Sequence, residues 1–164
     1  MTKYLAFLSL IIVVLASCAV SIPTINAENI ENFDKLAKNH ILFLTFDIKK
    51  NKGQIPETVS LLSSVAGSGK MKNLKTGTDN PFQIKSIQYF GDAKPSIETY
   101  FEHPLYKSLE IFSPDGTITR KSTTSTASAL SMKIQYENDL ERIELYSIKP
   151  DFRPVKIYTL QFKP

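Results

Sequence analysis

The sequence predicts an all-β protein, an antiparallel β-sandwich of about seven to eight strands that follows a short N-terminal helix. Two observations favour this class. Short segments that are apolar, or in which apolar and polar residues alternate, recur from residue 40 to the end of the chain, as expected for strands with buried faces. Turn residues separate these segments, and no long segment with helical spacing interrupts them, which favours an antiparallel over a parallel sheet.

The segment "AENIENFDKLAKNH" precedes the first strand and predicts a short amphipathic helix. Its apolar residues recur at helical spacing, and they are Ile30, Phe33, Leu36 and Ala37. Asn26 is a residue type that caps helix N-termini. We expect the apolar face of this helix to pack on the domain.

The first strand is predicted in "HILFLTFDIKK". Leu42, Leu44, Phe46 and Ile48 alternate along one face, while Ile41 and Phe43 make the other face apolar as well. A strand that is apolar on both sides is typical of the centre of a sheet, or of a sheet covered twice.

Seven further segments predict strands, namely "TVSLLSSVAG", "FQIKSIQYF", "SIETYFEH", "LYKSLEIF", "ALSMKIQY", "ERIELYSI" and "VKIYTLQF". Ser113-Pro114-Asp115-Gly116 predicts a hairpin turn, because proline suits its second position and glycine adopts positive φ. Residues 137–139 predict a second hairpin loop. The hydroxyl-rich run 121–131 is compatible with a mobile loop, a polar strand or a glycosylation stretch. Strands at this spacing favour an immunoglobulin-like sandwich, with a closed barrel as the alternative.

Residues 103–148, from "HPLYKSLEIFSPDG" through "ALSMKIQYENDLERIELYSI", resemble the second half of immunoglobulin-like accessory modules of bacterial surface proteins. The resemblance lies in the order of strand, DG turn, strand, short turn and strand. It implies a role in adhesion, docking or scaffolding, and it carries no catalytic motif.

Residues 1–17 have the layout of a signal peptide. Lys3 precedes an apolar run that ends in small residues, and the run is shorter than the roughly 20 residues that span a bilayer. Leu15-Ala16-Ser17-Cys18 resembles the lipobox of bacterial lipoproteins, which implies cleavage before Cys18 and acylation of its thiol, with palmitate among the acyl chains. Ala19, where some lipoproteins have aspartate, implies the outer membrane rather than the plasma membrane. The alternatives are a buried cysteine in an N-terminal helix and an ordinary signal peptide.

The mature chain is therefore predicted to comprise a lipidated tether, 18–26, and a single domain, 27–164. Cys18 is the only cysteine, so the domain has no internal disulfide. Without Lys3 the chain has 19 basic and 16 acidic residues, a balance too even and too dispersed to predict nucleic-acid binding.

Motifs for catalysis and for cofactors are weak. "VAGSGKMK" lacks the first glycine and the final hydroxyl of a phosphate-binding loop, and the chain has no G-x-S-x-G segment, zinc cluster or calcium loop. We expect no cofactor and no metal, and an enzyme is not favoured. Glu98, Glu102 and His103 are the residues from which a hydrolase site would be built.

The same three residues, with Tyr100 and Tyr106, form the predicted surface site, because tyrosine combines an apolar ring with a hydroxyl. The sequence favours a non-enzymatic, membrane-anchored binding or scaffolding lipoprotein whose partner is an envelope protein or a glycan. The alternatives are an envelope hydrolase or an inhibitor of one, and a carrier of an apolar ligand, which requires a hollow barrel.

Overall fold

The structure is a computed structural model that describes residues 22–52, 56–72, 80–91 and 94–163. The predicted signal peptide, Cys18 and the first part of the tether lie outside these residues. The described chain contains ten strands: β1 (Thr24–Asn26), β2 (His40–Lys49), β3 (Thr58–Ser68), β4 (Gln83–Phe90), β5 (Ile97–Glu102), β6 (Tyr106–Phe112), β7 (Ile118–Thr124), β8 (Ala127–Tyr136), β9 (Leu140–Ile148) and β10 (Val155–Lys163). The all-β class and the eight predicted strands are confirmed, and β1 and β7 are additional.

The strands form three sheets, of five strands in the order β1-β10-β9-β4-β5, three in the order β3-β2-β8, and two in the hairpin β6-β7. Every pairing is antiparallel except that of β1 with β10. One apolar core draws its side chains from both larger sheets, and the Phe46 and Tyr158 rings make an edge contact across it at 5.5 Å. This architecture is compatible with a sandwich, and the strands described here form separate sheets rather than one closed barrel.

The predicted N-terminal helix is wrong. The segment contains only a 3₁₀ turn, Ala27–Asn29, whose first residues are capped as expected because Asn26 Oδ1 accepts a hydrogen bond from the Glu28 N–H at 2.9 Å. The chain then extends, and the Glu31 carbonyl accepts a hydrogen bond from the Ala66 N–H in β3.

The apolar residues that suggested the helix have different environments. Ile30 is buried in the core, Phe33 stacks on the His40 ring at 4.1 Å, and Leu36 is 93% exposed. This irregular segment thus buries Ile30 and partly buries Phe33, and a single bridge between Glu31 and Val65 pairs it with β3.

β2 is the central strand of its sheet, as predicted. Leu42, Leu44, Phe46 and Ile48 are fully buried. On the opposite face Phe43 is 47% exposed and Ile41 is half-buried, so the apolar residues there do not form a second buried core face.

The two predicted turns have different outcomes. Ser113–Gly116 joins β6 to β7 as a hairpin, with Gly116 at φ +83° and its N–H donating to the Ser113 carbonyl at 2.9 Å. Residues 137–139 do not form a hairpin loop, because β8 pairs with β2 whereas β9 pairs with β4 and β10. This loop passes from one sheet to the other, and each strand buries its apolar face in the shared core. The hydroxyl-rich run contributes to β7 and β8, so it is largely polar strand.

Candidate functional site

The five residues of the predicted surface site fall into two separate environments. Glu98, Tyr100 and Glu102 alternate along one face of β5, and the Tyr100 hydroxyl donates to Glu98 Oε2 at 2.9 Å. Lys85 of β4 lies 3.2 Å from the other oxygen of Glu98. The Tyr100 hydroxyl, followed by Lys85, lowers the pKa of Glu98 below its usual value.

His103 is not a surface residue, since its side chain is fully buried just beyond β5. The Leu105 N–H donates to His103 Nδ1 at 3.3 Å, which assigns the ring proton to Nε2. Nε2 faces Ser147 Oγ at 3.2 Å and Glu57 Oε1 at 3.7 Å. The Tyr106 ring packs edge-on against the imidazole, with a centroid distance of 4.7 Å.

Glu57 is the charged centre of this buried cluster. Lys149 Nζ lies 2.5 Å from Glu57 Oε1, and the carboxylate is almost completely buried. Burial alone would raise the pKa of Glu57, but the hydrogen bonds of His103 and Lys149 to the charged form outweigh it and hold the pKa at about 2. The cluster therefore joins the start of β3 to the ends of β5 and β9 through one ionised group.

This cluster does not have the geometry of a serine hydrolase. A Ser-His-acid relay places the carboxylate on one imidazole nitrogen and the hydroxyl on the other. Here Glu57 and Ser147 both face Nε2 of His103, while Nδ1 accepts a backbone N–H. Ser147 is also buried. The geometry of the cluster therefore suits a structural role in the packing between β3, β5 and β9.

Glu98 and Tyr100 continue into a larger network on the outer side of the five-stranded sheet. We call it the tyrosine face, and it consists of Lys85, Tyr89, Glu98, Tyr100, Arg142, Glu144, Tyr146 and Lys156. The strand register places these residues together, because Lys85 is paired with Tyr146 on one side and with Tyr100 on the other. Lys156 of β10 is paired with Tyr146 from the far side.

Glu144 is the acceptor at the centre of the tyrosine face, and it is only 7% exposed. It accepts hydrogen bonds from the Tyr146 hydroxyl at 2.6 Å, from Arg142 Nε at 3.2 Å and from Lys156 Nζ at 3.4 Å. Burial raises the pKa of Glu144, but these donors outweigh it, so the pKa is lowered. The hydrogen bond to Glu144, together with burial, raises the pKa of Tyr146.

Cation-π contacts hold the remaining side chains of the face. The Arg142 guanidinium lies 3.8 Å from the centroid of the Tyr89 ring, and Lys85 Nζ lies 5.4 Å from that of Tyr146. Each cation thus bridges a ring and a carboxylate, since Arg142 also binds Glu144 and Lys85 also binds Glu98. The result is a surface on which tyrosine rings and paired charges hold one another in position.

A concave feature, the end pocket, lies where β2 begins and where β3 and β8 end. It has a volume of about 470 Å³, and its lining consists of Lys38, Asn39, His40, Lys70 and residues 135–139. The end pocket and the His103 cluster lie at opposite ends of β2. This strand runs from His40 at the pocket to Lys49, and the next residue, Lys50, donates its N–H to the Thr126 carbonyl, while the neighbouring Ser125 N–H donates to the carbonyl of Leu105.

Sequence reasoning missed Lys85, Arg142, Glu144, Tyr146 and the whole end pocket. These residues are far apart in the chain and meet only through strand register, so no local motif marks them. Within the described ranges, no group of three or more His, Cys, Asp or Glu residues is placed to hold a metal ion. The described residues also include no helix of sufficient length and apolar character to cross a membrane.

Comparison of the chain with protein-family models, with curated proteins and with solved structures finds no match.

Proposed function

We propose that this protein is a lipid-anchored binding or scaffolding module of the bacterial envelope, without enzymatic activity, and that a partner protein docks on the tyrosine face. The observation that carries the proposal is the network around Glu144 in β9 and β10, which the contacts of Lys85 with Tyr146 and Glu98 extend to β4 and β5 on the same surface.

The composition of the tyrosine face favours a protein partner. Tyrosine and arginine are enriched among the residues that dominate protein interfaces. Side chains already held by hydrogen bonds and cation-π contacts lose little conformational entropy on docking. The charges of the face are mixed, with Lys85, Arg142 and Lys156 beside Glu98 and Glu144. We therefore expect a partner surface that also carries both signs of charge.

The proposed localisation to the cell envelope rests on the resemblance of residues 15–18 to a lipobox. Two or more acyl chains on Cys18 would hold the domain stably at a membrane, because each buried methylene contributes about 0.8 kcal/mol. Ala19 after the cysteine favours the outer membrane. The alternatives are less well supported, since the buried His103 cluster lacks a hydrolase geometry and side chains from both sheets share the core that a carrier would need to keep hollow.

The docking proposal is tested by photo-crosslinking in the native envelope. A photoreactive phenylalanine analogue replaces Tyr100 on the tyrosine face or, as a matched control, the exposed Phe43 on the outer face of the three-stranded sheet. We expect one discrete protein adduct from position 100 and none from position 43. Adducts of equal yield from both positions, or none from position 100, would contradict the proposal.

A second variant pair links the adduct to the network. Arg142→Ala removes the contacts to Tyr89 and Glu144, so it should reduce the position-100 adduct at least about threefold. Lys133→Ala, which removes a cation beside Phe43 in register, should leave the adduct unchanged. Thermal melts of both variants separate loss of docking from loss of folding.

A further inference from the structure

The end pocket has the size and the position of a ligand site. Its volume of about 470 Å³ lies within the ~300–1,000 Å³ range of small-molecule sites. It does not share residues with the tyrosine face, so a function assigned to it is independent of protein docking there.

Hydrogen bonds fix the wall of the end pocket. The side-chain amide of Gln135 donates from Nε2 to the His40 carbonyl and accepts the Met71 N–H at Oε1, both at 2.8 Å. Gln135 thus ties the ends of β2 and β8 to the chain that follows β3. A wall held in this way needs little reordering when a ligand binds.

Ring contacts fix the adjoining aromatic part of the pocket. The His40 ring stacks on Phe33 at 4.1 Å, and Nε2 of His40 donates to the Asp34 carbonyl at 2.6 Å. The Tyr136 ring stands edge-on to both rings. Aromatic side chains pack well against the apolar faces of sugar rings and of other flat ligands, because they present large, rigid apolar surfaces.

In the end pocket the negatively charged side chains have ion-pair partners among the described residues, whereas the positively charged ones do not. Its two carboxylates, Glu137 and Asp139, both pair with Lys94, which is itself seated over the Phe90 ring at 4.0 Å. Within the part of the chain that the structure describes, neither Lys38 nor Lys70 has an ion-pair partner. The unpaired charge that lines the pocket is therefore positive.

We propose that the end pocket binds a small anionic sugar, bearing a carboxylate or a phosphate. The ammonium groups of Lys38 and Lys70 supply the charge that attracts the anion. Asn39 and Asn138 add amide donors and acceptors for hydroxyl groups, and Tyr136 supplies a ring.

Calorimetric titration of the intact protein in detergent tests this assignment. The probes are D-glucuronate and glucose 6-phosphate as the two anionic sources, glucose as the neutral sugar, and inorganic phosphate as the anion without a sugar. We expect at least one anionic sugar to bind at least about tenfold more tightly than glucose and inorganic phosphate. If D-glucuronate binds more tightly than glucose 6-phosphate, the anionic group of the ligand is a carboxylate, and the reverse order indicates a phosphate.

Lysine variants tie the binding to the pocket. Lys38→Gln and Lys70→Gln should each weaken the anionic sugar about 3- to 10-fold, because each removes one charge-assisted contact. Lys107→Gln removes an equally exposed lysine from β6 and should change the affinity less than twofold. All three positions are on the surface, so a thermal melt should show an unchanged fold.

Three results would overturn the assignment: neither anionic sugar binds, glucose or inorganic phosphate binds as tightly, or Lys107→Gln weakens binding as much as the pocket variants. Cross-linking at Tyr100 is read separately, so failure of the sugar site and failure of protein docking are distinguishable.

Discussion

Glu57 shows how a single buried residue links pH to the stability of this protein. The pKa of its carboxyl is lowered to about 2 in the folded chain, against 4.5 in the absence of these contacts. Because the pKa is lower in the folded than in the unfolded chain, the ionised carboxylate stabilises the folded state at pH values above 4.5. This contribution to the free energy of unfolding is lost as the pH falls from 4.5 towards 2. A difference of this size corresponds to about 3 kcal/mol.

We therefore predict that Glu57→Gln lowers the free energy of unfolding by about 3 kcal/mol at pH 7 and by less than about 1 kcal/mol near pH 2. Urea unfolding at several pH values measures this difference. Glu102→Gln, at an exposed position, serves as the control and should change stability by less than about 0.5 kcal/mol. An equal effect of Glu57→Gln at both pH values would contradict the assigned ion pair.

Tyr146 and Glu144 make a second prediction at the residue scale. Tyr146→Phe removes the 2.6 Å hydrogen bond to Glu144 without removing the ring. We expect the pKa of Glu144 to rise towards its usual value, and the free energy of unfolding to fall by about 1 kcal/mol. Carboxyl NMR titration measures the pKa. The network around Glu144 would be disproved if the titration midpoint of Glu144 were the same in both proteins.

Among the elements, β2 contributes four fully buried side chains to the core, more than β3 or β8, whereas Phe43 on its other face is 47% exposed. Leu44→Ala should destabilise the protein by about 2–5 kcal/mol, because it opens a cavity in a fully buried site. Phe43→Ala on the exposed face should cost less than about 1 kcal/mol although it removes a larger side chain. Urea unfolding of the two variants compares the faces directly, and similar losses would indicate that the outer face is covered as well.

The strands were predictable from the sequence because apolar and polar residues alternate along a strand that has one buried and one exposed face. "LSMKIQY" alternates residue by residue, and Leu130, Met132 and Ile134 are all buried in β8. The Ser113–Gly116 turn was predictable for the same local reason, since glycine at φ +83° is required there. The helix over Ile30 and Phe33 was not, because the spacing of a few apolar residues cannot distinguish a helix from an irregular segment packed on a core.

For the whole molecule, only a short stretch of chain separates the proposed anchor from the first residue that the structure describes. Four peptide units separate Cys18 from Ile22, where the described chain begins, and four units span at most about 14 Å. If Cys18 is acylated, the edge of the five-stranded sheet formed by β1 and β10 must lie close to the bilayer. Under the proposed acylation, a tether of this length would restrict the surfaces that the proposed partner can approach.

The anchor itself gives the prediction at this scale. Cys18→Ser should move the protein from the membrane fraction to the soluble fraction or leave it uncleaved, because the acyl chains supply the membrane affinity. Ser17→Ala is the matched control, since it keeps a small residue and the cysteine. Mass spectrometry should find the wild-type chain beginning at Cys18 with added acyl chains. An unmodified thiol at Cys18 in the membrane-bound protein would contradict the lipobox assignment.

By itself, the sequence determined the all-β class, the eight principal strands and the turn at Ser113–Gly116, and the anchor at Cys18 stays a prediction. Each of these depends on the nature of neighbouring residues, on alternation, or on a short contiguous motif. Only the tertiary structure decided that β8 and β9 belong to different sheets, that His103 is buried with Glu57, and that Glu144 is the centre of a four-strand network. The physical reason is that strand register and sheet assignment are set by contacts between residues far apart in the chain, and such contacts leave no local pattern.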